Sequence, residues 1–267
     1  MTAQNETPLK VIQITDTHIR SRPGSQLWGV DVDQSLNAVL ERVFKVHWPA
    51  DLFLLTGDLV QDEGAAAYQR LLEFMQPFQV PVYCLPGNHD DPAVMAEALP
   101  SGWIRYQRHA IHGTWQFIFL DSSLRGTPAG HLSEAELSYL DDALSAHPEQ
   151  HAMVCLHHHP VTVNTPWLDT MVVDNSDEFF SVLKRHSQVR AVIWGHIHHS
   201  FASKYKDIQL FAAPSTCVQF KPGSVNAQDD EMSPGYRWFE LYPDGSLVTE
   251  VERADYRIST IDELRLS

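Results

Sequence analysis

The chain has 267 residues, 43% of them hydrophobic and 20% charged, with a formal net charge of −15. That length suits one large α/β domain, and the composition suits a soluble protein with a substantial core. The negative charge speaks against a nucleic-acid polymer as partner, but not against a small phosphate ester drawn in by bound cations, whose own charge sets the local field. Cys84, Cys155 and Cys217 stand in apolar surroundings without CxxC spacing, which reads as reduced core thiols in a cytoplasmic protein. Met1 to Lys10 holds no apolar signal core, and no apolar run approaches the ~20 residues of a membrane span.

In chain order, Val11 to Thr15 is a β-rich run that stops at Asp16-Thr17-His18. Alternation along an extended segment would aim Asp16 and His18 the same way. Leu36, Val39, Leu40, Val43 and Phe44 give Asp33 to His47 the spacing of a core-facing helix. Asp51 to Leu55 is a second strand with Gly57-Asp58 at its end, and a helix follows over Asp62 to Phe78. Val80 to Leu85 is a third strand, reaching Gly87-Asn88-His89-Asp90. Strand and helix alternate through these first three strands, which predicts parallel pairing with the polar strand ends gathered at one sheet edge.

A helix is expected from Pro92 to Leu99, then a strand from Trp115 to Leu120. Ser133-Glu134-Ala135-Glu136 is a capping-box signature opening a helix to about Ser145. Ala152 to Leu156 runs as a strand into His157-His158-His159-Pro160. Ser176 to His186 reads as a helix, and Val189 to Trp194 as the strand before Gly195-His196-Ile197-His198. Ile208 to Ala213, Tyr236 to Tyr242 and Ser246 to Val251 are strands without helices between them, the last two a hairpin through Pro243-Asp244-Gly245. They suggest a second sheet packed on the first.

Each polar strand end is weak evidence alone, since Gly-Asp also caps helices and Asn-His after Gly is ordinary turn chemistry. Their joint occurrence is another matter. All five follow apolar runs, offer O or N donors, and contain no Cys, a mix that suits an open catalytic metal site over a closed structural one. Seven donors exceed one ion and fit two about 3.5–4 Å apart. His47, His109, His112, His131, His147, His151 and His186 read as ordinary surface or core histidines, and Trp103 and Trp167 as packing residues before stacking partners for a base.

The ordered set Asp16-Thr17-His18, Gly57-Asp58, Gly87-Asn88-His89-Asp90, His157-His158 and Gly195-His196-Ile197-His198 resembles the calcineurin-like metallophosphoesterase superfamily over residues 10–200. Gln13 to His18, Leu156 to Pro160 and Pro214 to Pro222 further resemble the bacterial 3',5'-cyclic AMP phosphodiesterases of the CpdA type. The resemblance implies an α/β, four-layer αββα sandwich of two mixed sheets flanked by helices. Residues 1–267 would form a single domain, with 201–256 a β-rich part and 257–267 a flexible tail.

It also implies two divalent ions, iron or manganese before cobalt or zinc. Asp16, His18 and His198 would bind one, Asn88, His157 and His196 the other, and Asp58 would bridge. The family form is His-His-Pro, so counting back from Pro160 gives His158 as ligand, whereas the strand end gives His157, which is adopted. His18, Asp58, Asn88, His89, His157 and His198 are then the substrate-binding set and His89 the catalytic side chain, donating to the leaving ribose 3′ oxygen or holding the phosphate. A metal-bridging hydroxide would open 3',5'-cyclic AMP to 5'-AMP in a monomer or homodimer. The alternatives are a broader phosphodiesterase (glycerophosphodiesters, 2',3'-cyclic nucleotides) and a non-catalytic binding module.

Overall fold

A computed structural model describes residues 7–61, 64–99 and 102–256. The tail from residue 257 and Asp62 lie outside these residues. The first half lays down β1 (Leu9–Ile14), α1 (Val32–Val46), β2 (Leu52–Thr56), α2 (Ala65–Met75), β3 (Val82–Leu85), α3 (Pro92–Ala98) and β4 (Ile104–Tyr106). The second adds β5 (His109–His112), β6 (Trp115–Phe119), α4 (Glu134–Ala146), β7 (His151–Cys155), α5 (Ser176–Leu183) and β8 (Val189–Trp194). It ends with β9 (Phe201–Tyr205), β10 (Ile208–Ala212), β11 (Gly235–Leu241) and β12 (Leu247–Arg253).

One six-stranded sheet runs β12-β11-β1-β2-β3-β4 and the other β9-β10-β8-β7-β6-β5. β1 to β4 are parallel to one another, as are β6, β7, β8 and β10. Both sheets therefore carry their functional loops at carboxyl ends.

Period-two alternation builds the layers. Val11, Leu52, Leu54, Phe117, Met153 and Ile193 face the core between the sheets. Ile12, Phe53 and Leu55 face α1 and α2 instead, within a cluster holding Leu36, Val43 and Leu71. Val154 and Val192 likewise meet Leu140, Leu144 and Phe179 from α4 and α5. The sandwich is helix, sheet, sheet, helix.

Two expectations change. The terminal strands do not form a second sheet of their own: β10 continues the parallel run beside β8, while the β11–β12 hairpin returns to pair antiparallel with β1. In that position Phe239 and Leu241 complete the inter-sheet core and Tyr236 packs on the helical side, so the hairpin covers an edge of β1 that is apolar on both faces. The capping box is half formed. Ser133 Oγ accepts the Glu136 N–H at 3.2 Å, but the Glu136 carboxylate turns away to Arg108 at 2.7 Å and the Asp121 N–H at 3.1 Å.

Candidate metal centre

The carboxyl ends of the two sheets are tied together before any ligand is considered. Gln13, buried between the sheets, donates to Thr56 Oγ1 at 3.0 Å and to the Trp194 carbonyl at 2.9 Å, so β1, β2 and β8 end at one level. The loops then interlock: the Asp16 N–H donates to the Gly57 carbonyl and the His18 N–H to the Asp58 carbonyl, each at 3.0 Å, and Gly195 N–H to the His157 carbonyl at 3.2 Å. A Cβ on Gly87 would collide with the Asp58 side chain and backbone N. Gly87→Ala is therefore expected to cost about 2–3 kcal/mol in denaturant unfolding, because the colliding partner is backbone that cannot swing aside. An unchanged midpoint would show that the two loops can separate.

Asp16, His18, Asp58, His196 and His198 all sit at positive φ, between 47° and 65°. Asp16 and His18 do converge, and so do His196 and His198, but through left-handed turns and not through extended alternation. Such conformations cost free energy and concentrate where function holds them.

The imidazoles share one pattern. His18 Nδ1 donates to Gln61 Oε1 at 2.7 Å, His198 Nδ1 to the Val218 carbonyl at 2.8 Å, and His157 Nδ1 to the Thr56 carbonyl at 2.9 Å. That anchors each ring and leaves Nε2 with its lone pair facing inward. His198 Nε2 lies 3.2 Å from Asp16 Oδ1 and 3.3 Å from His18 Nε2. His157 Nε2 lies 3.2 Å from Asn88 Oδ1 and 3.4 Å from Asp58 Oδ2, and His18 Nε2 is 3.9 Å from the same carboxylate oxygen. Donor atoms of Asp16, His18 and His198 lie within 4.8 Å of one another, as do those of Asp16, Asp58 and His157, of His18, Asp58 and His89, and of His157, His158 and His196.

A cavity of about 220 Å³ opens over this cluster, lined on one side by His18, Asp58, Gln61, Asn88, His89, His196 and His198. Asp16 and His157 are fully buried and are not part of its wall. His157, expected to touch substrate, instead stands behind Asn88 and Asp58. Trp167 lines the cavity, whereas Trp103 is half exposed and outside it, and Lys221 is an exposed side chain that does not reach it. Asp90 orients no imidazole. It accepts N–H groups from Gly87, Leu59 and Val60 and the Tyr68 hydroxyl, pinning the β3 loop to the β2 loop.

Residues 9–200 match the calcineurin-like phosphoesterase family model. This chain belongs to the calcineurin-like phosphoesterase family. Among curated proteins it is 40% identical over 252 residues to the 3',5'-cyclic adenosine monophosphate phosphodiesterase CpdA of Haemophilus influenzae, covering 94% of this chain and 92% of that one. It is 41% identical over 254 residues to the protein of the same name from Escherichia coli K12, again covering 94% and 92%. Among solved structures, a dimetal phosphatase from Danio rerio superposes with a TM-score of 0.66 at 13% identity, covering 94% of this chain and 98% of that one, a likeness of fold.

The donors fit the divalent-metal centre that the family implies. Burial pushes the Asp16 and Asp58 carboxyls up, but His198 beside the first and His157 beside the second outweigh it and hold both below the usual carboxylate range. Burial pushes His18 down to about 4 and holds His196 and His158 well below the usual imidazole range, so their rings are neutral and their lone pairs available. His157 goes the other way: burial opposes protonation, but Asp58 draws it up to about 9. With Nδ1 already donating to a carbonyl, His157 Nε2 faces two oxygen acceptors, an arrangement that needs a proton or a cation between them. The buried Nε2 of His196 has no hydrogen-bond partner among the described residues.

The His-His-His run divides by partner. His157 faces Asp58 and Asn88. His158 Nδ1 lies 2.9 Å from Ser122 Oγ, and its buried Nε2 has no hydrogen-bond partner among the described residues.

Gln61, Val218, Phe220 and Trp28 shape the site without having been expected there. Gln61 receives His18 Nδ1 on Oε1 and, from Nε2, donates to His89 Nδ1 at 3.1 Å. Phe220 lies flat on the His198 ring, 4.1 Å between centroids and 9° between planes. The segment Pro214 to Pro222 carries Val218 and Phe220. Its CpdA-like sequence was the only advance sign of them.

Proposed function

We propose that this chain is a metal-dependent phosphodiesterase that opens 3',5'-cyclic AMP to 5'-AMP. One observation carries the reading: three imidazoles with anchored Nδ1 atoms turn their Nε2 lone pairs onto two buried carboxylates beneath a cavity. The CpdA-type relatives support the substrate. In this proposal Asp16, His18 and His198 hold one ion, Asn88, His157 and His196 the other, and Asp58 lies between them. Bound divalent ions supply an activated water and offset charge on the phosphate oxygens. Iron or manganese is the proposed pair, since N and O donors accept several first-row ions and supply decides among them.

The role of His89 follows from Gln61. For His18 to offer Nε2 to an ion, its Nδ1 must carry the proton, so Gln61 presents Oε1 to His18 and its amide N–H to His89 Nδ1. His89 then carries its proton on Nε2. That suits a hydrogen bond that holds a phosphate oxygen better than full transfer of a proton to the leaving 3′ oxygen. Gln61→Glu keeps the acceptor for His18 but turns the second partner of His89 from donor to acceptor. It is expected to retain bound metal and lower kcat by about tenfold or more, and further than Gln61→Ala, which leaves Nδ1 to water. Equal kcat in both variants would show that Gln61 does not set the proton position on His89.

A single domain is proposed, because the first and last described strands share a sheet. A cytoplasmic location is proposed on three buried, unpaired cysteines. No helix among the described residues is long and apolar enough to cross a membrane.

The testing experiment is hydrolysis of 3',5'-cyclic AMP after metal removal and return of Mn(II) or Fe(II), with bis-p-nitrophenyl phosphate alongside. Metal-restored 5'-AMP formation supports the proposal. Hydrolysis of the artificial diester alone would replace it with the broader phosphodiesterase, and bound metal without either activity with a binding module.

A further inference from the structure

The cavity changes character along its length. Away from the metal cluster its wall is Leu27, Trp28, Trp167, Leu168, Met171 and Phe220. Trp167 and Phe220 meet edge to face at 4.9 Å and 75°, and the Trp28 and Phe220 rings are 5.6 Å apart at 54°. Since Phe220 also lies flat on His198, the apolar end begins one ring away from the proposed metal ligands.

Trp28 is out of place by ordinary folding rules. It occupies the tip of a two-residue hairpin turn in which Leu27 pairs with Val30. Trp28 has φ 49° and Gly29 φ 82°, the pattern of a type I′ turn, which favours Asn, Asp or Gly at both places. A bulky aromatic residue there is an outlier. Packing does not repay the strain, because 54% of Trp28 remains exposed. A strained, exposed indole at the mouth of a cavity is what a ligand-binding wall looks like before its ligand arrives.

We propose that the nucleobase of the substrate is held by its face against Trp28, above Trp167, Met171 and Phe220, and that its edge is not read by side chains. The proposal rests on the nucleotide-diester reading given above. Trp167 Nε1–H is already committed to Ser224 Oγ at 3.1 Å. Among the described residues lining this end, no other side chain offers a nitrogen or oxygen donor or acceptor. Stacking on aromatic rings tolerates any base, because every base has a π-face, and discriminates poorly between purines.

The test compares the metal-loaded parent with Trp28→Ala and Trp28→Phe on 3',5'-cyclic AMP, 3',5'-cyclic GMP and the base-free methyl riboside 3',5'-cyclic phosphate. Tryptophan-fluorescence titration with 5'-AMP gives a second readout. The parent is expected to show KM values for the two nucleotides within about threefold. Trp28→Ala should raise both by about tenfold or more, with Trp28→Phe restoring most of the loss, while KM for the base-free diester moves less than about twofold. Quenching by 5'-AMP should weaken in Trp28→Ala. An equal KM rise on the base-free diester would make Trp28 a wall of the phosphate end, and unchanged KM values would place the base elsewhere. Strong discrimination between the nucleotides would mean that its edge is read. If the parent hydrolyses no cyclic nucleotide, the substrate reading falls, and the 5'-AMP titration still decides for or against the cleft.

Discussion

Asp58→Ala should strip metal from the protein and lower phosphodiester turnover on the order of a thousandfold, because in the proposed centre a single carboxylate would serve both halves. Its Oδ2 faces His157 Nε2 at 3.4 Å and His18 Nε2 at 3.9 Å, while Oδ1 accepts the His89 backbone N–H at 2.9 Å. Removing it withdraws the proposed bridge, one anchor of the His89 loop, and the charge that draws His157 up to about 9. Asp58→Asn separates these effects. It keeps the shape and one oxygen acceptor for the His89 N–H, so the loop survives while the charge is lost. Metal per chain, measured by elemental analysis beside turnover, decides the matter. Retention of two ions and near-parental rates in Asp58→Ala would overturn the ligand assignment.

Much of the framework could be read from the sequence because local patterns and tertiary burial agree. β8 falls where Val189 to Trp194 was expected, and α1 and α3 lie within a residue of their expected bounds. These segments carry helical or strand periodicity and end at groups that cannot continue into a core. Which sheet a strand joins is a different kind of fact. Nothing within Tyr236 to Tyr242 says whether it pairs with β10 or with β1, because that choice is made by which edge remains uncovered once the other strands are placed.

The candidate ligands stand out in the sequence for a similar reason: a run of buried hydrophobic residues that stops at Asp or His is a conflict visible in one dimension. Their supports were not. Gln61 follows Asp58 by three residues and looks like any polar loop residue, yet its amide contacts two histidine rings at once. Val218 contributes only a backbone carbonyl, which every residue possesses. Trp28 carries no sequence signal of its own; its φ, its exposure and its place at the cavity mouth mark it only together. The chemistry announces itself by residue type, whereas the geometry that tunes it is carried by groups with no special identity.

His89→Ala should keep both ions and lose mainly rate, by about a hundredfold on 3',5'-cyclic AMP. None of the His89 contacts described above makes it an anchor of the carboxylates except its backbone N–H, which the substitution preserves. Two comparisons then separate the roles open to the side chain. A hydrogen bond that holds a phosphate oxygen is needed whatever the leaving group, so His89→Ala should lower turnover of bis-p-nitrophenyl phosphate nearly as much as that of the cyclic nucleotide. A proton delivered to the leaving oxygen matters little for p-nitrophenolate, which departs unaided near neutral pH, and that role would leave the artificial diester almost untouched. His89→Gln adds the second comparison, since its amide donates a hydrogen bond but supplies no acid. The Gln61 contact to His89 Nδ1 favours the first role, so His89→Gln should recover much of the loss. If His89→Gln is as slow as His89→Ala and the artificial diester keeps its parental rate, His89 is a proton donor, and Gln61 must turn its amide over during the reaction.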